Sequence, residues 1–278
     1  MRIEVEHRTR YRFTPPVFLE PHVLRFRPRS NSWQRLDTFE FHLDPQPAGT
    51  AANVDLDGND VVVAWFEGRT EHLVVDVRFE VETLRANAFD FLPGNHPSLP
   101  MRYEAELDPL LAPYLASESR ASLLPYAEAI AEGAAHDATS FAAHLARRLH
   151  EDCRHVVRRE GGPRAAEETL RRREGACRDL ALLYVELCRT VGLAARFVSG
   201  YCLSEEAERD ELHAWAEVYL PGGGWRGFDP STGFAVTDRH IAVAAGPTPL
   251  AASPVSGSFR GEAVAESPEI ALTIRRRA

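Results

Sequence analysis

Lysine is absent from this chain of 278 residues: all 32 basic side chains are arginine. The chain therefore carries no ε-amine, and its one primary amine is the α-amine of Met1. Long apolar runs are missing too. None approaches the ~18 residues that span a bilayer, and the opening MRIEVEHRTRYRF is charged throughout, without the apolar stretch of a secretory signal. We expect no membrane segment and a cytoplasmic location. Cysteine is sparse, with Cys153, Cys177, Cys188 and Cys202 unevenly spaced and no CxxC pair. That excludes a disulfide scaffold and points to reduced thiols. Cys153-Arg154-His155 is the nearest approach to zinc-ligand spacing and lacks a second half. No Asp-rich calcium loop occurs, so no metal or other cofactor is expected. Positive charge is in deficit: 41 acidic against 32 basic residues give a net charge of −9. This argues against a nucleic-acid partner and against an anionic membrane surface.

What is present is ordinary globular composition, 44% apolar and 26% charged, enough for one large domain or two. Residues 1–85 read as strands. Thr38 to Leu43 and Leu73 to Val81 alternate apolar and polar side chains, with turn signals at Thr14-Pro15-Pro16, Asp57-Gly58-Asn59 and Glu67-Gly68. An antiparallel β-sandwich is expected there. Residues 86–135 form a Pro-rich and helical connector, with Leu123 to Gly133 as its helix. Residues 136–278 read as a catalytic core with C-terminal strands. Ala138 to His150 places Phe141, Leu145 and Leu149 on one helical face, and Asp137 or Thr139 is its N-cap. Pro163 suits the first position of a short helix running toward Arg173.

The chemistry lies beyond residue 175. Gly175 breaks the preceding helix, and a new one runs from near Cys177 to about Thr190, with Gly192 as its stop. Leu180, Leu183, Tyr184, Leu187, Cys188 and Val191 form its apolar stripe. Cys177 falls in the first turn, where unpaired N–H groups and the helix dipole favour a thiolate. Arg171, Arg172, Arg173 and Arg178 add positive charge nearby. His213 opens a strand running to Leu220, Pro221-Gly222-Gly223-Gly224 turns the chain, and Trp225 to Asp229 returns. A thiol, an imidazole and a carboxylate in this order suit nucleophilic catalysis. Symmetric pairing about Gly222-Gly223 puts Asp229 opposite Ala216, so an uneven turn or a bulge is required to bring it to His213. Cys188, Cys153 and Cys202 read as structural. Trp215 and Glu217 share the strand face of His213 and either line a cleft or pack the core.

Gly175-Ala176-Cys177-Arg178-Asp179-Leu180-Ala181 resembles the nucleophile motif of the transglutaminase-like superfamily. Gly192 to Tyr201, His213 to Tyr219 and Gly224 to Ser231 resemble its next signatures, in the family's order. Tyr11-Arg12-Phe13, Glu20-Pro21-His22, Leu24 to Pro28, Arg239-His240-Ile241 and Val255 to Gly261 are similar to features of bacterial members. The resemblance implies an α+β, papain-like cysteine-proteinase core behind the sandwich. It implies a Cys177–His213–Asp229 triad and acyl transfer on amide bonds of protein or peptide substrates through a thioester. Water and an amine both stand as acceptors; the polar stretch from 204 to 211 favours water. A peptidase with the same triad and a non-catalytic module that keeps the fold are the alternatives. The intact Cys, His and Asp speak against the latter.

Overall fold

The computed structural model describes residues 1–92, 94, 98–117, 119–158, 160–203 and 212–277. In β1 (Arg2–Leu19), Ile3, Val5, His7 and Thr9 are buried on one face while Arg8 and Arg12 face solvent, the alternation expected of a half-buried strand. The strands β2 (His22–Leu24), β3 (Gln34–Asp44), β4 (Gly49–Val54), β5 (Asp60–Trp65) and β6 (Thr70–Thr83) follow. β1, β6 and β3 build one antiparallel sheet and β2, β5 and β4 another. Ile3, Val5, Leu73 and Phe79 of the first share a core with Leu24 and Ala64 of the second. This is the expected β-sandwich.

Helices α1 (Asp108–Leu115), α2 (Arg120–Gly133) and α3 (Ala138–Asp152) come next. The Asp137 carboxylate caps α3 by accepting the Ser140 N–H at 2.7 Å. A two-residue parallel bridge between β7 (Arg154–His155) and β8 (Glu174–Gly175) encloses α4 (Ala166–Arg172). Then come α5 (Cys177–Thr190), β9 (Ala195–Cys202), β10 (Leu212–Leu220), β11 (Gly224–Asp229), β12 (Phe234–Ala235) and β13 (His240–Gly246). The five strands form one antiparallel sheet in the order β12-β11-β10-β9-β13. α5 packs on it through Leu180, Leu183, Tyr184 and Leu187, all fully buried. Each leucine contributes about 1.5–3 kcal/mol by leaving water. Gly192, at φ 77°, ends the helix where expected.

Three expectations need correction. The C-terminal strands do not belong to the catalytic core. β14 (Val255–Ser256) pairs with β2, and β15 (Phe259–Arg260), β16 (Val264–Ala265) and β17 (Glu269–Arg277) all pair with β1. β17 runs beside β1 unbroken from Arg2↔Arg277 to Arg10↔Glu269, covering an edge that would otherwise expose a long row of unpaired backbone groups. Second, α2 is more than a connector. Leu123, Ala127, Ile130 and Ala131 lie in the same core as α5, their i, i+4, i+7, i+8 spacing forming one stripe. Third, α4 starts at Ala166 rather than Pro163; ahead of it the Arg164 N–H donates to the Asp179 carboxylate at 2.8 Å.

The sandwich is tied to the catalytic sheet at its edge strand β13. The buried Gln34 amide donates to the Ala242 carbonyl at 2.8 Å and accepts the Ala242 N–H at 2.9 Å. Asn59 repeats the arrangement on Ala245, both bonds being 2.8 Å. Two side-chain amides thus replace a missing neighbouring strand along β13.

Candidate active site

Cys177 is the first residue of α5 and half-buried. The Asp179 carboxylate, fully buried, accepts the Ala176 N–H at 2.9 Å and so fastens the turn that presents the thiol. The same carboxylate accepts Arg158 Nη2 at 2.6 Å and Arg158 Nε at 3.3 Å. A buried ion pair therefore clamps the segment before α4 onto the helix start.

The β10–β11 register solves the placement of Asp229. Leu220 pairs with Gly224 and Ala216 with Phe228, so the turn is the three residues Pro221-Gly222-Gly223 and no bulge interrupts the pair. One step further along this register Asp229 falls opposite Trp215, on the strand face of His213. The uneven turn alone does what was required of it. His213 Nε2 donates to Asp229 Oδ2 at 2.7 Å, leaving Nδ1 for the Cys177 thiol, with which the imidazole is hydrogen-bonded. Asp229 is fully buried and accepts at its other oxygen from the Ser231 N–H at 2.9 Å and the Ser231 hydroxyl at 2.7 Å. Gly200, paired with His213, makes room for the indole beneath the imidazole. A Cβ there would meet the Ile241 carbonyl oxygen at 2.0 Å and the Trp215 ring at 2.7 Å.

The electrostatics suit a thiolate–imidazolium pair. Burial pushes the Cys177 thiol up, but hydrogen bonds from His155, His213 and the Ala214 N–H outweigh it and bring the thiol down to about 6. Burial opposes charge on His213 as well; the Asp229 carboxylate and the thiol prevail and hold the imidazole well above its ordinary value. Burial also works against ionised Asp229, which His213 and His240 nonetheless keep well below the usual carboxylate range. Of the arginines expected near the thiol, Arg172 pairs with Glu168 at 2.7 Å and Arg173 with Asp152 at 3.2 Å, while Arg178, next to Cys177 in α5, donates to the Glu160 carbonyl at 2.9 Å.

Two histidines join the site that sequence reading did not assign to it. The β7–β8 bridge sets His155 beside Gly175, and its imidazole hydrogen-bonds the thiol. His240 Nε2 donates to Asp229 Oδ2 at 3.2 Å, and its imidazole also meets the Cys202 thiol across the β9–β13 pair. Cys202, expected to be purely structural, is thus half-buried beside an imidazole that lowers its pKa against the effect of burial. Cys188 is fully buried in the core and Cys153 nearly so. Trp215 is core, 1% exposed and packed with Val198 and Ala245. Glu217 serves Arg196, whose Nη2 lies at 2.6 Å and Nε at 2.7 Å. The stretch 204–211 lies outside the described residues.

Among the described residues, the one group of side chains with metal-ligand spacing is His213, Asp229 and His240, within 4.8 Å of one another. Both imidazoles already donate to the same carboxylate oxygen, so a cation there would have to displace both N–H groups.

The chain is similar to known proteins along most of its length. Residues 3–82 match the bacterial transglutaminase-like N-terminal region, and residues 125–230 match the transglutaminase-like superfamily. An uncharacterized protein of Mycobacterium bovis is 28% identical over 268 residues, covering 88% of this chain and 83% of its own. One of Mycobacterium leprae is 24% identical over 273 residues, covering 94% of each. A solved structure from Cytophaga hutchinsonii, described as a "Putative Cysteine Protease", superposes with a TM-score of 0.75 at 16% identity, covering all of this chain and 92% of that one. With the N-terminal region and the core both matched in sequence, and the architecture shared along the whole chain, the protein belongs to the transglutaminase-like superfamily, a family of cysteine-dependent enzymes.

Proposed function

We propose that the protein is an acyl-transfer enzyme that opens carboxamide bonds of protein or peptide substrates through a Cys177 thioester. The observation that carries this reading is the chain of contacts from a helix-terminal thiol through His213 to a buried Asp229 at 2.7 Å. The thiolate attacks the amide carbon and the C–S bond forms. The His213 imidazolium gives its proton to the leaving nitrogen, the C–N bond breaks, and ammonia or an amine departs. Water or a primary amine then attacks the thioester, His213 takes its proton, and the thiolate returns. Asp229 holds the imidazole tautomer and orientation throughout. The Cys177 backbone N–H, at the first helical position, is one oxyanion donor. His155, already bonded to the sulfur, is the side chain we assign as the second.

Main-chain cleavage by the same triad is the second reading, favoured by the description of the Cytophaga hutchinsonii neighbour as a protease. One experiment tests both: incubation with a glutamine-containing peptide, with mass spectrometry of the intact protein. An acyl adduct on Cys177 that vanishes in Cys177→Ala supports the thioester. Release of ammonia without shortening of the peptide supports side-chain amide chemistry. Shortened peptide supports the protease, and no adduct and no product overturns both.

A further inference from the structure

Between the sandwich and the catalytic sheet lies a cavity of about 440 Å³, within the size range of small-molecule sites. Cys177, His213 and Asp229 do not line it, but His240 does, and His240 donates to Asp229 at 3.2 Å. The cavity is therefore one side chain away from the triad and separate from it.

Its charge runs against the composition of the chain. In a protein of net charge −9, four arginines, Arg29, Arg85, Arg196 and Arg226, line one cavity, with Glu217 as the single carboxylate in the lining. Glu217 is taken by Arg196 at 2.6 Å. Arg29 donates to the Asp57 carbonyl at 2.9 Å and feels the charges of Asp55 and Asp57. Arg85 and Arg226 are left over. Among the described residues neither has a carboxylate at ion-pair distance. Asp90 and Glu217 act on Arg226 only from further off, and Arg85 opposes them.

Arg226 is the sharper case. It is 5% exposed, its guanidinium carbon sits 4.5 Å from the Trp33 ring centre and 4.7 Å from that of Phe91, and its Nε has no hydrogen-bond partner. Arg85 stacks on the same Trp33 at 4.4 Å. A guanidinium stays charged in any protein environment, and a buried charge without a counter-ion is costly. The aromatic faces offset part of that cost. They also fix the planes of two like-charged forks beside an open cavity, the preorganised geometry in which arginine grips oxyanions bidentately.

We propose that this cavity binds a small polyvalent oxyanion, a phosphate or a di- or tricarboxylate, held by Arg85 and Arg226. The proposal does not depend on the reaction assigned to Cys177. The test titrates the full chain with inorganic phosphate, citrate and acetate at constant ionic strength, followed by calorimetry and tryptophan fluorescence, since Trp33, Trp215 and Trp225 line the cavity. Phosphate or citrate is expected to saturate at or below about 1 mM and acetate not to bind. Whichever of the two binds tighter identifies the phosphate or the carboxylate source. Arg85→Met and Arg226→Met should each weaken binding at least about tenfold, while Arg8→Gln, on the exposed side of β1, leaves it unchanged. Arg85 is half-exposed beyond the end of β6, so Arg85→Met decides the matter if Arg226→Met does not fold. Absence of saturation by both phosphate and citrate up to about 10 mM, or saturable binding that the folded variants do not weaken, overturns the proposal.

Discussion

His213 and Asp229 are joined at 2.7 Å although they are not opposite one another in their strand pair. The contact is a diagonal across one face of the β10–β11 hairpin, a neighbour relation that a flat ladder allows. Triad geometry is thereby coupled to hairpin register. A one-residue slip would turn Asp229 to the α5 side and away from the imidazole.

Replacing Asp229 with Asn should preserve the fold and cost roughly 10⁴-fold in rate, because an amide can donate to the ring and favour the wrong tautomer. Glu217→Gln should stay close to wild type in rate, since Glu217 serves Arg196 rather than His213. Single-turnover kinetics on the two variants, with circular dichroism as the folding control, checks this. Near-wild-type turnover in Asp229→Asn removes that residue from the triad.

Alkylation by iodoacetamide should separate the thiols by pH. The Cys177 pKa is lowered to about 6, so its thiolate is present above that pH and lost below it. The labelling rate should rise with a midpoint near 6. Cys188, fully buried with its thiol pushed far up by burial, should remain unlabelled in the folded protein. His155→Ala removes one of the hydrogen bonds that lower the Cys177 thiol and should move the midpoint upward. Mass-spectrometric localisation of the label across pH reads all three outcomes, and equal rates at Cys177 and Cys188 would remove the activated nucleophile.

The parts of this site that follow from local pattern were legible in the sequence. The apolar stripe of α5 and its Gly192 stop place Cys177 in the first turn, and strand alternation places His213, Trp215 and Glu217 on one face. The partners of Asp229 were only half legible, because a three-residue against a four-residue reading of Pro221 to Gly224 shifts the whole register by one. His155 and Arg158 were out of reach. They come to the helix start through a two-residue parallel bridge and a buried ion pair, neither of which leaves a periodic trace. The same holds for the tail: the pairing of β17 with β1 joins residues more than 250 apart along the chain, and only the open edge of β1 asks for it.

The Arg158–Asp179 pair gives a stability prediction. Asp179 is fully buried and Arg158 largely so, and removing one partner of such a pair costs about 3–5 kcal/mol. Asp179→Asn should therefore lower the melting temperature markedly and loosen the turn that presents Cys177. Burial raises the Asp179 pKa, but Arg158 and the backbone N–H groups of Arg164 and Ala176 pull it below the ordinary value. Its contribution is present above about pH 4 and lost on acidification through the folded-state pKa. Thermal melts at neutral pH and at about pH 3 should show a wild-type advantage over Asp179→Asn that shrinks in acid. An advantage independent of pH would mean that the carboxylate charge is not what stabilises the helix start.

Self-crosslinking is the assay most open to misreading in this protein. A transamidase that joins glutamine to lysine also risks joining itself. The chain has two glutamines, Gln34 and Gln46, and no lysine. Gln34 is 4% exposed, with its amide engaged by the Arg29 and Ala242 carbonyls and the Ala242 N–H, so Gln46 is the accessible acyl donor. With a donor but no ε-amine acceptor, the purified chain should form no covalent oligomer at high concentration even when it transfers acyl groups to amines. Denaturing gels of the protein alone therefore carry no information about the acceptor. The informative comparison adds a small primary amine and a glutamine-containing peptide, then measures amine incorporation against ammonia release and against backbone cleavage. We expect hydrolysis to outpace amine incorporation at modest amine concentration. The reverse ranking would assign the amine as acceptor, and a ladder of Gln46-linked species would show that the Met1 α-amine, which donates to the Thr83 carbonyl at 2.7 Å, is free enough to serve as acceptor.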